Sequence, residues 1–267
     1  MKGRKKNTMS AEDSKALSQK RYGQFAQRYV NSSTHATGTD LEMLLEIAQP
    51  NPDWVMLDIA TGGGHTALKF APHVSKVIAT DLTPNMLQAA QAFIHSRGVQ
   101  NVHFQIADAE NLPFESGYFD MVTCRIAAHH FPDVQRFVLE STRVLKHAGM
   151  LLIQDHLLPE NEADARYIDA FEKLRDPSHN RAFSQSEWQS MYTHAGLVIE
   201  QIEWVTKRHD FISWVERQSC TPGIIKQLRE MLAQAPPGSA PWMQVQDLRS
   251  DSTSFTNHHI LIAGRKP

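Results

Sequence analysis

Four groups of polar residues, each directly after an apolar run, are the places where this chain can do chemistry. Asp58 closes "WVMLDIA" and the glycines of "TGGG" follow it. Asp81 closes "KVIATDL" and Asp108 closes "NVHFQIAD". A fourth run, "FDMVTCRIA", leads to Arg125, Ile126, His129 and His130. Glycines at 62 and 64 permit positive φ and remove the Cβ that would block a ligand. A helix beginning near His65 presents free N–H groups and the positive end of its dipole to a carboxylate or phosphate. Asp81 is spaced from Gly62 so that its carboxylate can accept two hydrogen bonds from ribose hydroxyls, which its charge strengthens.

A glycine turn of this kind also suits a dinucleotide, and "GGGHTA" satisfies the loose pattern G-x-G-x-x-A. Two features favour another ligand. Asp58 stands immediately before the turn, where its charge opposes a pyrophosphate but suits an amine or a sulfonium. Asp108, in "ADAEN", can receive an exocyclic adenine amine. The chain also contains no Tyr-x-x-x-Lys pair, a common device of hydride chemistry. S-adenosylmethionine is therefore the expected cofactor, with an NAD(P)-dependent oxidoreductase as the alternative reading. A protein that binds the cofactor without transferring anything is a third.

His129 and His130 stand where an acceptor should enter, and an imidazole with its ordinary pKa near ~6.5 can take up a proton at neutral pH. Neighbouring residues do not readily face one point, so one of the pair at most is expected to act as a base, the other stabilising a turn. His156 is a weaker candidate of the same kind. The chain has 14 histidines but no H-E-x-x-H or comparable ligand spacing, so no metal is expected.

These residues need a scaffold that brings strand ends together. The apolar runs 54–60, 76–82, 101–108, 119–127 and 149–158 have the composition of strands buried on both faces. Helical patterns separate them. Thr83 and Pro84 have the chemistry of an N-cap and first helical residue, Gly98 that of a C′ residue, and Pro132 opens another helix. Such alternation predicts an α/β fold, a mostly parallel, doubly wound sheet with right-handed crossovers. Ligands then bind beyond the carboxyl ends of the strands. Helices over about 11–30 and 40–49 precede the sheet, the second with a Thr39/Glu42 capping box. Two helices, a sixth strand (197–205), helices near 210–234 and a last strand (254–264) follow it. Trp188, Trp204, Trp214 and Trp242 fall in this later third, either as a cap over an apolar substrate or, as expected, in plain core packing.

Composition is that of a globular protein, 41% hydrophobic and 21% charged. A formal net charge of −2 offers no electrostatic footprint for nucleic acid. Cys124 and Cys220 form no CxxC pair, which argues against a disulfide framework and for a reducing cytoplasm. "MKGRKKNTMS" lacks the apolar segment of a secretory signal and reads as a solvated, mobile tail over 1–10. No stretch has the ~20 apolar residues that span a bilayer. The expected partner is thus a small-molecule acceptor, without nucleic acid or membrane insertion, for a monomer or homodimer.

Taken together, "VMLDIATGGGHTA", "ATDLTPNMLQAA", "DAENLPFESGYFDMVTCRIAAHHFPD" and "STRVLKHAGMLLIQD" resemble the class I S-adenosylmethionine-dependent methyltransferases. They look closest to methyltransferase type 11, the ubiquinone/menaquinone C-methyltransferase-like group. The resemblance spans about Trp54 to Asp155. It implies a seven-stranded Rossmann-like methyltransferase sheet with an N-terminal helical lid and C-terminal helical insertions. One domain over 11–267 is implied, its cofactor core at about 50–158 and substrate-cap helices at about 160–196 and 210–245. By resemblance, Asp58 and the backbone of Ala60, Thr61, Gly62 and Gly64 hold the methionine portion. Asp81 binds the ribose, Leu82 and Met86 lie against the adenine, and Asp108 and Ala109 read its amine. Arg125 and Ile126 lie beneath the cofactor near the methyl donor, although an ion-pair role for Arg125 is as well supported. Tyr22, Tyr29 and His35 belong to the lid. The implied reaction is methyl transfer to a carbon or oxygen of a small molecule. Ala60 stands where the family usually has glycine, and "LKHAG" replaces a Lys-Pro-Gly-Gly turn.

Overall fold

The computed structural model describes residues 10–30, 39–248 and 250–267. The basic tail up to residue 9 and His35 lie outside the described residues, as does the side chain of Tyr29. Helices α1 (Ala11–Val30) and α2 (Thr39–Ala48) come first. Strands β1 (Val55–Ile59), β2 (Lys76–Asp81), β3 (Val102–Ile106), β4 (Phe119–Arg125) and β5 (Leu145–Leu158) follow. Between them run α3 (His65–Phe70), α4 (Pro84–Ser96) and α5 (Val134–Val144). The later part comprises α6 (Glu162–Arg175), β6 (Phe183–Ser184), α7 (Gln185–His194) and β7 (Val198–Asp210). It closes with α8 (Phe211–Arg217), α9 (Pro222–Ala233), α10 (Ser239–Met243) and β8 (Ser254–Arg265).

The sheet order is β3-β2-β1-β4-β5-β8-β7, with the two-residue β6 beside β5. Strands β1 to β5 pair in parallel. β8 inserts antiparallel to both β5 and β7. Strand order reverses between β1 and β4, so the ends of these strands open a crevice where a ligand can lie.

Both faces of the sheet are covered because successive side chains along a strand point oppositely. Val122 packs with Phe137, Ile153 and Tyr192 on one side, while its neighbour Met121 packs with Phe70, Met56 and Leu152 on the other. A further apolar cluster, built around Phe171, Phe211, Trp214 and Phe255, joins α6, α8 and α9 to the end of β8. Of the four later tryptophans, Trp188 is fully buried in the core and Trp204 is half exposed. Trp214 alone among these four lines the cleft described below. Core packing accounts for Trp188 and Trp214, whereas the exposed Trp204 lies against Trp242, and the set forms no cap.

Several local expectations shift for identifiable reasons. β7 runs to Asp210 instead of ending at 205, because its polar end 206–210 stays paired with β8 from His258 back to Ser254. β5 begins at Leu145, which pairs with Phe119. Helix α5 starts at Val134, with the Asp133 carboxylate accepting the Arg136 N–H at 2.9 Å, so Pro132 precedes the cap. Thr83 does occupy the N-cap of α4 with Pro84 beside it, but its hydroxyl makes no cap bond. Asp81 instead accepts the Thr83 N–H at 2.8 Å. Glu42 pairs with Lys69 on α3, and Thr39 is itself the first helical residue. Gly98 takes the expected left-handed conformation, φ 76°. Among the described residues, no helix is long and apolar enough to cross a membrane.

Candidate active site

A carboxylate organises the turn after β1 from beneath. Asp58 is 1% exposed; its Oδ2 accepts the Thr61 hydroxyl at 2.6 Å and its Oδ1 the Thr123 hydroxyl at 2.8 Å. The Ala67 N–H also reaches it, so the first turn of the six-residue α3 is satisfied from inside the fold. Burial pushes the Asp58 carboxyl up to about 6, against the two hydroxyl bonds and the pull of Arg125. The sequence places Asp58 on the ligand, and it does line the cleft, while its two oxygens already hold the turn together.

Three residues of the turn adopt positive φ: Ala60 at 51°, Gly62 at 55° and Gly64 at 82°. For Ala60 this conformation is strained, since its Cβ crowds the following carbonyl. Gly62 lines the cleft, and its N–H donates to Asp81 Oδ2 at 3.1 Å. Gly64 serves a different purpose from the one its spacing suggests. A Cβ there would stand 2.9 Å from Ile94 Cδ1 and 3.2 Å from Ala90 Cβ, so this glycine lets α3 pack on α4.

Asp81, Leu82, Asp108 and Ala109 line the same cleft from at or just beyond the ends of β2 and β3, with Met86 reaching it from α4. Asp108 Oδ1 accepts the Glu110 N–H at 3.0 Å, closing its own turn, and Oδ2 accepts Lys15 Nζ from α1 at 2.6 Å. α1 crosses this end of the cleft and is fixed again where Gln19 Nε2 donates to the Leu82 carbonyl at 2.9 Å.

Arg125 is buried within an ion-pair network. Its Nη1 lies 2.8 Å from Asp40 Oδ2 on α2, and its Nε donates to the Thr66 hydroxyl at 3.1 Å. The same Asp40 oxygen accepts Lys207 Nζ from β7 and Gln154 Nε2 from β5, each at 2.9 Å. Burial alone would raise the Asp40 carboxyl, but Arg125 and Lys207 hold it well below the usual carboxylate range. Ile126, the next residue, has φ 56°, which is unfavourable for a β-branched side chain, and its N–H donates to the Gln154 carbonyl at 2.7 Å. Strain of this kind gathers where the surrounding structure over-determines the backbone, commonly at functional sites.

Beyond Arg125 the cleft continues into a chamber lined with imidazoles. His129 and His130 occupy a single 3-10 turn, yet their environments separate them. His130 Nδ1 lies 2.9 Å from the Ser178 carbonyl, which can only accept, so that nitrogen carries the proton. Its Nε2 then accepts the Tyr22 hydroxyl at 2.5 Å. His130 is thereby committed to holding α1 through Tyr22. His129 Nδ1 lies 2.5 Å from Asp155 Oδ1, while its backbone N–H donates to Asp155 Oδ2 at 2.7 Å. Burial, reinforced by His130 and His179, keeps His129 neutral, and burial pushes Asp155 up to about 6. Held in this way, His129 keeps Nε2 as its basic nitrogen. The cleft is continuous from the glycine turn to this chamber, with a volume of about 290 Å³.

The sequence reading missed Asp155, Asp40, Lys15 and His179. Asp155 had a usable signal, since it lies near the end of β5 as Asp58, Asp81 and Asp108 do near theirs. The others come from helices and loops whose local patterns say nothing of the cleft.

A glycine turn over the switch point of this sheet, with carboxylates on successive strand ends, defines a class I methyltransferase. The family profile described as a methyltransferase domain matches residues 57–153. The uncharacterized methyltransferase YcgJ of Bacillus subtilis is 41% identical over 192 residues, covering 72% of this chain and 76% of that protein. The crystal structure of the BH2331 protein of Bacillus halodurans C-125 superposes with a TM-score of 0.83 at 40% identity. The match covers 86% of this chain and all (100%) of that one. The ubiquinone/menaquinone biosynthesis C-methyltransferase UbiE of Shewanella oneidensis is 30% identical over 131 residues, 48% of this chain and 52% of that protein. The chain belongs to the methyltransferase type 11 family.

Proposed function

We propose that this methyltransferase uses S-adenosylmethionine to methylate a carbon or oxygen of a small polar molecule held in the histidine chamber. The observation that carries this reading is the single cleft joining the strand-end carboxylates to His129. The donor set suits the cofactor: Asp81 for ribose hydroxyls, the Gly62 surface without a Cβ, and apolar Leu82 and Met86 beside it. Bound there, S-adenosylmethionine supplies an electrophilic methyl group on a positively charged sulfur.

The chain's own residues do the rest. The turn around Gly62 and the strained Ile126 fix the geometry of the cleft, and alignment of donor and acceptor is the main source of rate in such a displacement. α1 covers the opening through Lys15, Gln19 and Tyr22, which limits water. His129 accepts the proton of the acceptor at Nε2, with Asp155 fixing the tautomer through Nδ1. An acceptor rich in oxygen fits the imidazoles, Glu172 and Asn257 that surround it.

Calorimetry with S-adenosylmethionine and S-adenosylhomocysteine, followed by a labelled-methyl screen of metabolite extract, tests the proposal. Both ligands are expected to bind; if neither binds the folded protein, the reading fails. His129→Ala is expected to slow transfer by about 10²–10⁴-fold while cofactor binding persists.

A further inference from the structure

We infer that the histidine chamber is a binding site for one divalent first-row transition-metal ion, ligated by His129, His156 and Asp155. One ring nitrogen from each histidine and one carboxylate oxygen of Asp155 lie within 4.8 Å of one another. Metal–ligand bonds to nitrogen and oxygen are about 2.0–2.2 Å, so each donor needs to move by roughly an ångström or less to close on a common ion.

The ring packing agrees. The centroids of His129 and His156 are 4.5 Å apart, and those of His129 and His179 are 5.2 Å apart. Two imidazoles bound to one ion at 90–110° place their centroids about 4.5–5.3 Å apart, from the bond lengths above. The His129–His156 separation is one that a shared ion accommodates, and it also lies in the ordinary range of packed rings. Asp155 Oδ1 and His129 Nδ1 already meet at 2.5 Å and open slightly to share an ion, while Asp155 Oδ2 keeps the His129 backbone N–H at 2.7 Å.

Two further observations point to something bound. No hydrogen bond to either ring nitrogen of His156 is found among the described residues, although the ring faces the cleft. Behind it, His259 is 2% exposed with Nδ1 buried and unpartnered, its centroid 4.7 Å from that of His156.

Two imidazoles and one carboxylate select Fe²⁺, Co²⁺, Ni²⁺ or Zn²⁺ over Mg²⁺ or Ca²⁺, which prefer all-oxygen sites. In the ion-bound form His129 is a ligand rather than the proton acceptor, and three protein ligands leave positions open toward the cleft, where an acceptor oxygen can bind. That role toward the acceptor rests on the proposed methyl transfer; the ion site does not. Spacing rules read from the sequence are blind to it, because the 3-10 turn after β4 and the end of β5 meet only in the folded chain.

The test is titration of Co²⁺ into tag-free, chelator-treated full-length protein, followed by calorimetry and by ligand-field absorption in the visible. One equivalent is expected to bind. His156→Gln is expected to weaken it by at least about tenfold, the scale set by loss of supporting groups around metal ligands. The exposed His147→Gln is expected to have no effect. X-ray absorption of the wild-type cobalt form, which needs no variant to fold, is expected to count two imidazoles. Absence of stoichiometric uptake, or uptake unchanged in both His156→Gln and His129→Gln, overturns the site. S-adenosylmethionine binding measured on the same samples separates the two proposals. Cofactor binding without cobalt uptake removes the metal alone, and loss of cofactor binding removes the proposed function alone.

Discussion

Lys15 Nζ on α1 lies 2.6 Å from Asp108 Oδ2 at the end of the third strand run, so a helix outside the sheet is clamped to the carboxylate assigned to the adenine amine. Glu110 shares the same ammonium at 2.5 Å. The lysine and an adenine amine compete for one oxygen. Lys15→Ala is therefore expected to tighten cofactor binding by up to about fivefold, given that partly exposed ion pairs contribute about 0–1 kcal/mol. Calorimetry checks this, and weaker binding would mean that the clamp assists the cofactor instead.

Asp81→Ala is expected to cost about 1.5–3 kcal/mol of S-adenosylmethionine affinity through loss of charge-assisted hydrogen bonds. Because Asp81 also accepts the Gly62 and Thr83 N–H groups, the variant's melting temperature without cofactor should fall as well. Unchanged affinity in a folded variant would show that the ribose lies elsewhere.

Ala60→Gly removes the strain of an alanine at φ 51°. The left-handed conformation costs a residue with a Cβ roughly 1–2 kcal/mol, partly offset by the greater freedom of glycine in the unfolded chain. Net stabilisation of about 0.5–1 kcal/mol is expected in urea unfolding, with the m-value unchanged.

Asp40→Ala leaves Arg125 and Lys207 buried without the carboxylate they share. Breaking a buried pair from one side typically destabilises by about 3–5 kcal/mol, and a loss of that size is expected in the denaturation midpoint. A loss below about 1 kcal/mol would show that water replaces the carboxylate easily.

Asp58 sets a pH dependence. Burial raises its carboxyl to about 6 in the folded protein, above its ordinary value, so the native state takes up this proton before the unfolded chain does. Its contribution to stability is present below the unfolded pKa and is lost as pH rises through 6. Cofactor binding runs the other way, since a cationic ligand favours the ionised form. Affinity is expected to fall about tenfold between pH 7 and pH 5, as one linked proton with a pKa near 6 requires. A flat affinity profile across that range would remove Asp58 from the cofactor's surroundings.

The sequence by itself determined the parallel core, because strands buried on both faces must be apolar throughout and the helices between them carry their own start and stop residues. It also determined the carboxylate wall of the cleft. Asp58, Asp81 and Asp108 lie at or near successive strand ends, and parallel strands necessarily bring such ends to one edge. Ala60 was already conspicuous as a residue with a Cβ in a glycine turn, and its positive φ gives that oddity a physical meaning. Gly64 was equally conspicuous, but only packing against Ile94 and Ala90 revealed that it serves a helix contact.

Tertiary structure alone decided the histidine chamber. His129 and His130 are adjacent and chemically identical, so no local pattern tells the basic nitrogen from the committed one. Asp155 and the pair Tyr22 and Ser178 make that distinction, from 26, 108 and 48 positions away along the chain. The fate of Arg125 was settled in the same way, by Asp40 at 85 positions. Periodicity is a local quantity and encodes which face of an element is buried. The partner of a buried charge is set by how the elements pack, and here packing built the chamber.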